Sequence, residues 1–306
     1  MRVLVTGASG LLGLNLALEA SSKHVVYGVV HHQQISTKAF TVLTADLLDA
    51  GALGRVLDEA RPDWVIHCAA LANLDLCEDD PELARRLNAD LPGLLAVETA
   101  QRDVRLLHIS TDAVFNGQSG DYSEEETPSP LSTYGRTKLE GEHAVAIANP
   151  DAIIARVNFY GWSLQGDHGL AEFFFNSLKT DKTIKGFTDV FYCPLLANDL
   201  AHILLRMLDA NLSGLYHVVS SESLSKYEFG VALARQFGLN EGLIMPASIE
   251  EGGLKASRSP IMTLRVEKLA QALNEPPPGI LAGLAHFHEL YQQGYPKTLH
   301  QALNND

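Results

Sequence analysis

Residues 2–13 read Arg2-Val3-Leu4-Val5-Thr6-Gly7-Ala8-Ser9-Gly10-Leu11-Leu12-Gly13, an apolar run that breaks into glycines spaced three apart. The run Arg2–Thr6 predicts a buried strand, and Leu11–Ala20 predicts a helix that the glycine loop opens. Each glycine has a job in such a turn. One makes the tight bend, one lets main chain approach a pyrophosphate, and one lets helix and strand pack closely. The helix start adds free N–H groups and a partial positive charge, which suit phosphates. The spacing is GxxGxxG, not the GxGxxG of the common dinucleotide fingerprint. Its place between a first strand and a first helix favours nucleotide binding over an ordinary turn.

A dinucleotide also needs its adenosine end held. The second predicted strand, His24–Val30, ends in His31-His32 and carries no carboxylate there. A carboxylate would bond the ribose 2′-hydroxyl of NAD and repel the 2′-phosphate of NADP, so its absence permits NADP(H), with NAD(H) still open. His31 could contact that phosphate, or both histidines could be plain loop residues. Asp46-Leu47 follows a third strand, Phe40–Thr44, where a carboxylate could accept from the adenine amino group and a leucine could cover the ring. His67-Cys68-Ala69-Ala70-Leu71 ends a fourth strand, Trp64–Ala69, in small residues that leave room for a cofactor.

Further strands are expected at Val104–Ser110 and Ala152–Val157, with helices at Ala50–Ala60, Pro81–Gln101 and Tyr134–Ile147. Apolar strands alternating with amphipathic helices indicate an α/β, doubly wound parallel sheet, the Rossmann fold. This organisation predicts a dinucleotide-binding domain over residues 1–160. The rhythm then breaks, and residues 161–306 are expected to form a smaller C-terminal α/β substrate-binding lobe interleaved with the first domain. Helices are read at Ala197–Leu208, Lys226–Phe237 and Ile280–Tyr291, and one more strand at Leu215–Val219. The aromatic cluster Phe173–Phe175 is read as core in preference to a sugar platform.

Composition excludes several classes. The chain has 306 residues with 23 Lys+Arg against 37 Asp+Glu, a formal charge of −14. Such acidity argues against nucleic-acid or anionic-membrane partners, which need basic surface. No apolar run approaches a membrane span, and the amino end reaches a glycine too soon for a signal-peptide core. Cys68, Cys77 and Cys193 lack CxxC spacing and suggest reduced thiols, so a cytoplasmic chain is expected.

His108-Ile109-Ser110-Thr111-Asp112 ends a strand, and Tyr134-Gly135-Arg136-Thr137-Lys138 opens a helix. Tyr134 and Lys138, four apart, share one helical face. A neighbouring ammonium and an oxidised nicotinamide would pull a tyrosine pKa down from near ~10 toward the working range. A hydroxyl such as Thr111 could fix the carbonyl or alcohol that exchanges a proton with the tyrosine. Isolated YxxxK pairs are common. The order of glycine loop, strand-end hydroxyl and Tyr–Lys helix gives this one its weight.

These motifs, with Asn88, Ile109–Gly117 and Thr127–Glu142, resemble the extended short-chain dehydrogenases/reductases, most closely the dTDP-4-dehydrorhamnose reductase branch. The resemblance implies that Thr111, Tyr134 and Lys138 are the catalytic triad. It places Gly7, Gly10, Leu11, Leu12, Gly13, Asp46, Leu47, Ala69, Ala70, Leu71 and Lys138 on the dinucleotide, to which we add Ser9, His31 and Tyr134. Substrate contacts are expected from Thr111, Asp112, Tyr134, Asn158 and Arg258. Arg258 stands where related enzymes hold a nucleotide-sugar diphosphate, although it could be a surface arginine.

Three positions depart from the branch. Ala113 replaces its tyrosine, and in the related 4,6-dehydratases that site carries a basic glutamate, so dehydration is disfavoured. Asn158 stands in place of a tryptophan near the sugar. Asn15 replaces a glutamate that binds a dimer-bridging magnesium, so no metal is expected, while a homodimer stays compatible. The expected function is NAD(P)H-dependent reduction of a nucleotide-linked 4-keto-6-deoxy sugar. The alternatives are a 4-epimerase and a non-catalytic NADP-binding subunit, since the regulatory subunit of methionine adenosyltransferase resembles the same branch.

Overall fold

The computed structural model describes residues 1–252 and 259–302. Its first part runs β1 (Arg2–Thr6), α1 (Leu11–Ser21), β2 (Val25–Val30), β3 (Thr41–Thr44), α2 (Ala52–Ala60) and β4 (Trp64–His67). Next come α3 (Leu74–Asp79), α4 (Pro81–Arg85), α5 (Leu91–Gln101), β5 (Arg105–Thr111), α6 (Thr133–Ala148) and β6 (Ile153–Val157). The rest is β7 (Phe159–Tyr160), α7 (Leu170–Lys179), β8 (Ile184–Phe187), β9 (Phe191–Tyr192), β10 (Leu195–Leu196), α8 (Ala197–Asp209) and β11 (Gly214–Val218). It closes with β12 (Leu224–Ser225), α9 (Lys226–Phe237), β13 (Ile244–Ala247), β14 (Ile261–Met262), α10 (Glu267–Leu273), α11 (Ile280–Gln292) and α12 (Tyr295–Gln301).

Seven strands form one sheet in the order β11-β6-β5-β4-β1-β2-β3, every pair parallel. The period of two along each strand divides the core. Leu4, Val65, Leu106 and Ile154 face one layer with Leu57 of α2, Leu95 of α5 and Val145 of α6. Val5, Ile66, Leu107 and Ala155 face the other with Leu16 of α1 and Leu200 and Leu204 of α8. Chain order reverses beside β1, which pairs with β2 on one side and β4 on the other. That is the switch point where the loops leaving β1 and β4 part and open a crevice.

The expected strands and helices are present with ends shifted by at most two residues, and β11 carries residues beyond 160 into the main sheet. One expectation needs correction. Pro81–Gln101 is not a continuous α-helix, because a π turn at Arg86–Asp90 separates α4 from α5. Pro92 has no N–H to offer the carbonyl of Asn88 four residues back, which frees that turn to widen. The Asn88 side chain then binds the main chain of Leu71, accepting from its N–H at 2.9 Å and donating to its carbonyl at 3.0 Å.

The remaining segments pack over the sheet's carboxyl end. Phe174 and Phe175 on α7 are buried and Phe173 is half exposed. Trp162 stacks on Phe287 of α11 with ring centroids 4.0 Å apart. No helix among the described residues is long and apolar enough to cross a membrane.

Candidate functional site

The glycine loop is shaped by contact with the β4 loop. Gly7 adopts φ +67°, and a Cβ there would lie 2.8 Å from the Ala69 nitrogen. A Cβ on Gly13 would lie 2.2 Å from the Gly7 carbonyl oxygen, so both positions exclude larger residues. Gly10 caps α1 in extended conformation without a side-chain cap. The first N–H groups of that helix are therefore available to an anion.

Two contiguous clefts meet at this loop and share Gly7, Gly10, Cys68 and Ala70. One, of about 350 Å³, is lined by Ser9, His31, Asp46, Leu47 and Ala69. The other, of about 490 Å³, is lined by Leu11, Leu12, Gly13, Leu71, Thr111, Asp112, Tyr134, Lys138 and Asn158. The structure thus brings together every described residue that the sequence reading assigned to cofactor or chemistry. The glycine cradle, the uncapped helix start and the paired clefts fit an extended dinucleotide. Asp46 is already engaged, accepting from the Leu48 N–H at 2.9 Å and lying 3.6 Å from His31 Nε2.

Thr111 ends β5, where its hydroxyl accepts from the Ala113 N–H at 3.1 Å and donates to Asp112 at 3.1 Å. Tyr134 sits in the first turn of α6, which Ser132 caps by accepting from the Gly135 N–H at 3.1 Å. Lys138, one turn on, is buried, and its ammonium donates to the Ile109 carbonyl at 2.6 Å. Burial pushes the Lys138 pKa down to about 8, against the opposing pull of Glu142 and Cys68.

Burial also pushes the Tyr134 phenol above its ordinary range, with Asp112 and Cys77 adding to the rise and the Thr111 hydroxyl opposing it. This differs from the depression expected from Lys138. Desolvation is the largest cause, and it outweighs the Thr111 hydrogen bond that opposes it. At neutral pH the phenol therefore keeps its proton, the state a proton donor needs.

Asp112 is pushed up by burial and held back by the Asn158 amide and the Thr111 hydroxyl. Asp112 and Asn158 also border a third cleft of about 220 Å³ that adds Ala113, Tyr192 and Lys226. Among the lining residues that escaped the sequence reading are His168 and Lys226. His168, in the cleft with Tyr134, sits in a loop whose only signal was Gly166 and Gly169, both at positive φ. Lys226, at the start of α9, carries no signal that separates it from any helix lysine.

Arg258 lies outside the described residues. Asn15 donates to the carbonyls of Leu11 and Trp162 and accepts from the Tyr295 hydroxyl. His286 pairs with Asp199 at 2.7 Å, whereas His288 packs on Phe237, so the two histidines face different surroundings. A larger groove of about 860 Å³, bordered by Tyr227, Arg235, Met245 and Leu281, contains none of the residues above.

Comparison with known proteins gives a consistent result. The family described as RmlD substrate binding domain matches residues 1–292. A probable low-salt glycan biosynthesis reductase, Agl14 of Haloferax volcanii, is 35% identical over 276 residues, covering 87% of this chain and 91% of that protein. Methionine adenosyltransferase 2 subunit beta of Bos taurus is 32% identical over 252 residues, covering 80% of this chain and 75% of that one. The solved dTDP-4-dehydrorhamnose reductase of Bacillus anthracis, in complex with NADP, superposes with TM-score 0.80 at 26% identity, covering 94% of this chain and 98% of that chain. Matched along nearly its whole length, the chain belongs to the RmlD substrate binding domain family and so to the extended short-chain dehydrogenases/reductases.

Proposed function

We propose that the protein is an NAD(P)H-dependent reductase of a nucleotide-linked 4-keto-6-deoxy sugar, converting dTDP-4-dehydrorhamnose to dTDP-L-rhamnose. The observation that carries this reading is the convergence of Thr111, Tyr134 and Lys138 on the cleft that the glycine loop opens. A reduced nicotinamide bound there supplies a hydride to the C4 carbonyl carbon. The Tyr134 phenol gives its proton to the carbonyl oxygen as negative charge develops on it, and the Thr111 hydroxyl, turned from Asp112, donates a hydrogen bond to the same oxygen. Lys138 holds the nicotinamide ribose, and its positive charge favours the phenolate left on Tyr134. Gly7, Gly10 and the start of α1 hold the pyrophosphate. His31 reaches the 2′-phosphate that distinguishes NADP, consistent with the NADP complex of the Bacillus reductase.

Ala113 borders the substrate cleft and carries no acid or base, which disfavours dehydration. The test is NADPH oxidation by purified protein supplied with dTDP-4-dehydrorhamnose. Stoichiometric oxidation with formation of the 4-hydroxy sugar supports the proposal. Interconversion of a nucleotide hexose without net NADPH consumption would assign a 4-epimerase instead.

The similarity to the methionine adenosyltransferase subunit favours a second reading, a dinucleotide-binding subunit without turnover. Tight NADPH binding, stable association with a methionine adenosyltransferase and no turnover on nucleotide ketosugars would establish it.

A further inference from the structure

Behind the cleft lies a buried cluster that the proposed reaction has not used. His108 on β5 and His67 on β4 are 0% and 1% exposed, and their rings stack with centroids 5.4 Å apart. His67 Nδ1 lies 2.7 Å from the Thr6 hydroxyl, which also accepts from the Ala69 N–H at 3.2 Å. His108 Nε2 lies 3.3 Å from the Lys138 ammonium. The other ring nitrogens, His67 Nε2 and His108 Nδ1, are buried and have no partner among the described residues.

Unpaired buried polar atoms cost stability, and Leu106 and Ile154, beside His108 on the same face of the sheet, already form apolar core. The ring therefore needs a reason to be polar, and its contact with Lys138 supplies one. An ammonium has three hydrogens. One goes to the Ile109 carbonyl and one to His108 Nε2, which leaves one for the cleft that Lys138 lines.

We infer that His108 is a positioning residue: as a neutral acceptor it holds Lys138 in the ammonium form with one N–H left for the cofactor ribose. This rests on the reductase reading above. The groups facing Lys138 are consistent with it. His67 and Cys68 approach from the β4 side, His108 from β5, and Tyr134 and Glu142 from α6 itself. Both imidazoles are kept uncharged by burial and by the lysine charge. Glu142 is spent on Arg156, which donates to it at 2.9 and 2.7 Å, and on the Ser110 hydroxyl. Asp112 acts on Tyr134.

The experiment measures NADPH and NADH affinity by fluorescence between pH 6.5 and 9.5. Wild-type affinity should fall with a midpoint set by Lys138, near about 8. His108→Leu should move that midpoint down by about one pH unit, a tenfold loss in proton affinity. The amide oxygen of His108→Gln can stand where Nε2 stood, whereas that of His108→Asn stands nearer Nδ1. The glutamine variant should therefore keep the wild-type midpoint and the asparagine variant should follow leucine. If leucine does not fold, the glutamine and asparagine variants decide alone. A wild-type midpoint in His108→Leu, equal behaviour of the two amides, or a flat wild-type profile would overturn the inference while leaving dinucleotide binding intact. A wild-type protein that binds neither dinucleotide would overturn the reductase reading and this inference with it.

Discussion

On the β1–α1 side the cleft is lined by main chain and by small or uncharged side chains, whereas across it stand buried side chains that titrate. Gly7, Gly10, Gly13, Ala69 and Ala70 offer shape, N–H groups and a helix terminus, with no charged side chain among them. Asp112, Tyr134 and Lys138 lie opposite, each with a pKa displaced by desolvation. The contrast separates two tasks. The first side holds a ligand by geometry that survives a change of pH. The second sets protonation states, and its chemistry responds to every neighbour that alters burial or charge.

That division can be broken first on the main-chain side. Gly13→Ala places a Cβ against the Gly7 carbonyl. Isothermal titration should show dinucleotide affinity falling on the order of 100-fold, about 2.7 kcal/mol. Unchanged affinity would mean that the loop does not hold the pyrophosphate.

The next largest effect is expected at the strut between the two sides. Asn88 bonds the Leu71 main chain and donates to the Thr137 hydroxyl of α6 at 3.2 Å. Asn88→Ala leaves the Leu71 N–H without its acceptor and should cost about 1–3 kcal/mol in urea denaturation. Both cofactor affinity and turnover should weaken, since the strut serves both sides.

The double change His31→Ala, His32→Ala should reduce NADPH affinity by roughly tenfold while leaving NADH within about twofold, as loss of one charge-assisted contact predicts. Equal losses for both coenzymes would place the 2′-phosphate elsewhere.

A further effect concerns pH and stability. His67 and His217 are held by burial down to about 3, with cationic neighbours adding to the shift. In the unfolded chain they titrate near ~6.5. Between those values the unfolded state binds more protons, so stability is lost as pH falls through ~6.5 toward 3. The slope is at most about 1.4 kcal/mol per pH unit for each histidine. Denaturation midpoints that stay level from pH 7 to pH 5 would contradict the neutral buried assignment.

The two sides also differ in how far the sequence discloses them. Glycines at a strand–helix junction announce main-chain geometry, because little else tolerates φ +67° at Gly7 or the contact at Gly13. The parallel sheet is legible for the same reason, since strands buried on both faces read as continuous apolar runs. Tyr134 and Lys138 are legible through helical spacing. The protonation side is less so. That Lys138 would turn to Ile109 and His108 depends on β5 lying beside α6, a tertiary fact that no local pattern encodes. The reversal of the expected Tyr134 shift follows from the same burial. Lys226 joins the third cleft only because α9 begins beside Tyr192. The π turn at Arg86–Asp90 needed Pro92 to be read together with the partner of Asn88 in the loop after β4.

The most direct test of the division is Tyr134→Phe, measured for NADPH binding and for turnover on dTDP-4-dehydrorhamnose in the same preparation. The account predicts a dissociation constant within about threefold of wild type and a turnover reduced by ~10²–10⁴-fold, the loss of one general acid. Near-normal turnover, or loss of binding in step with turnover, would contradict it.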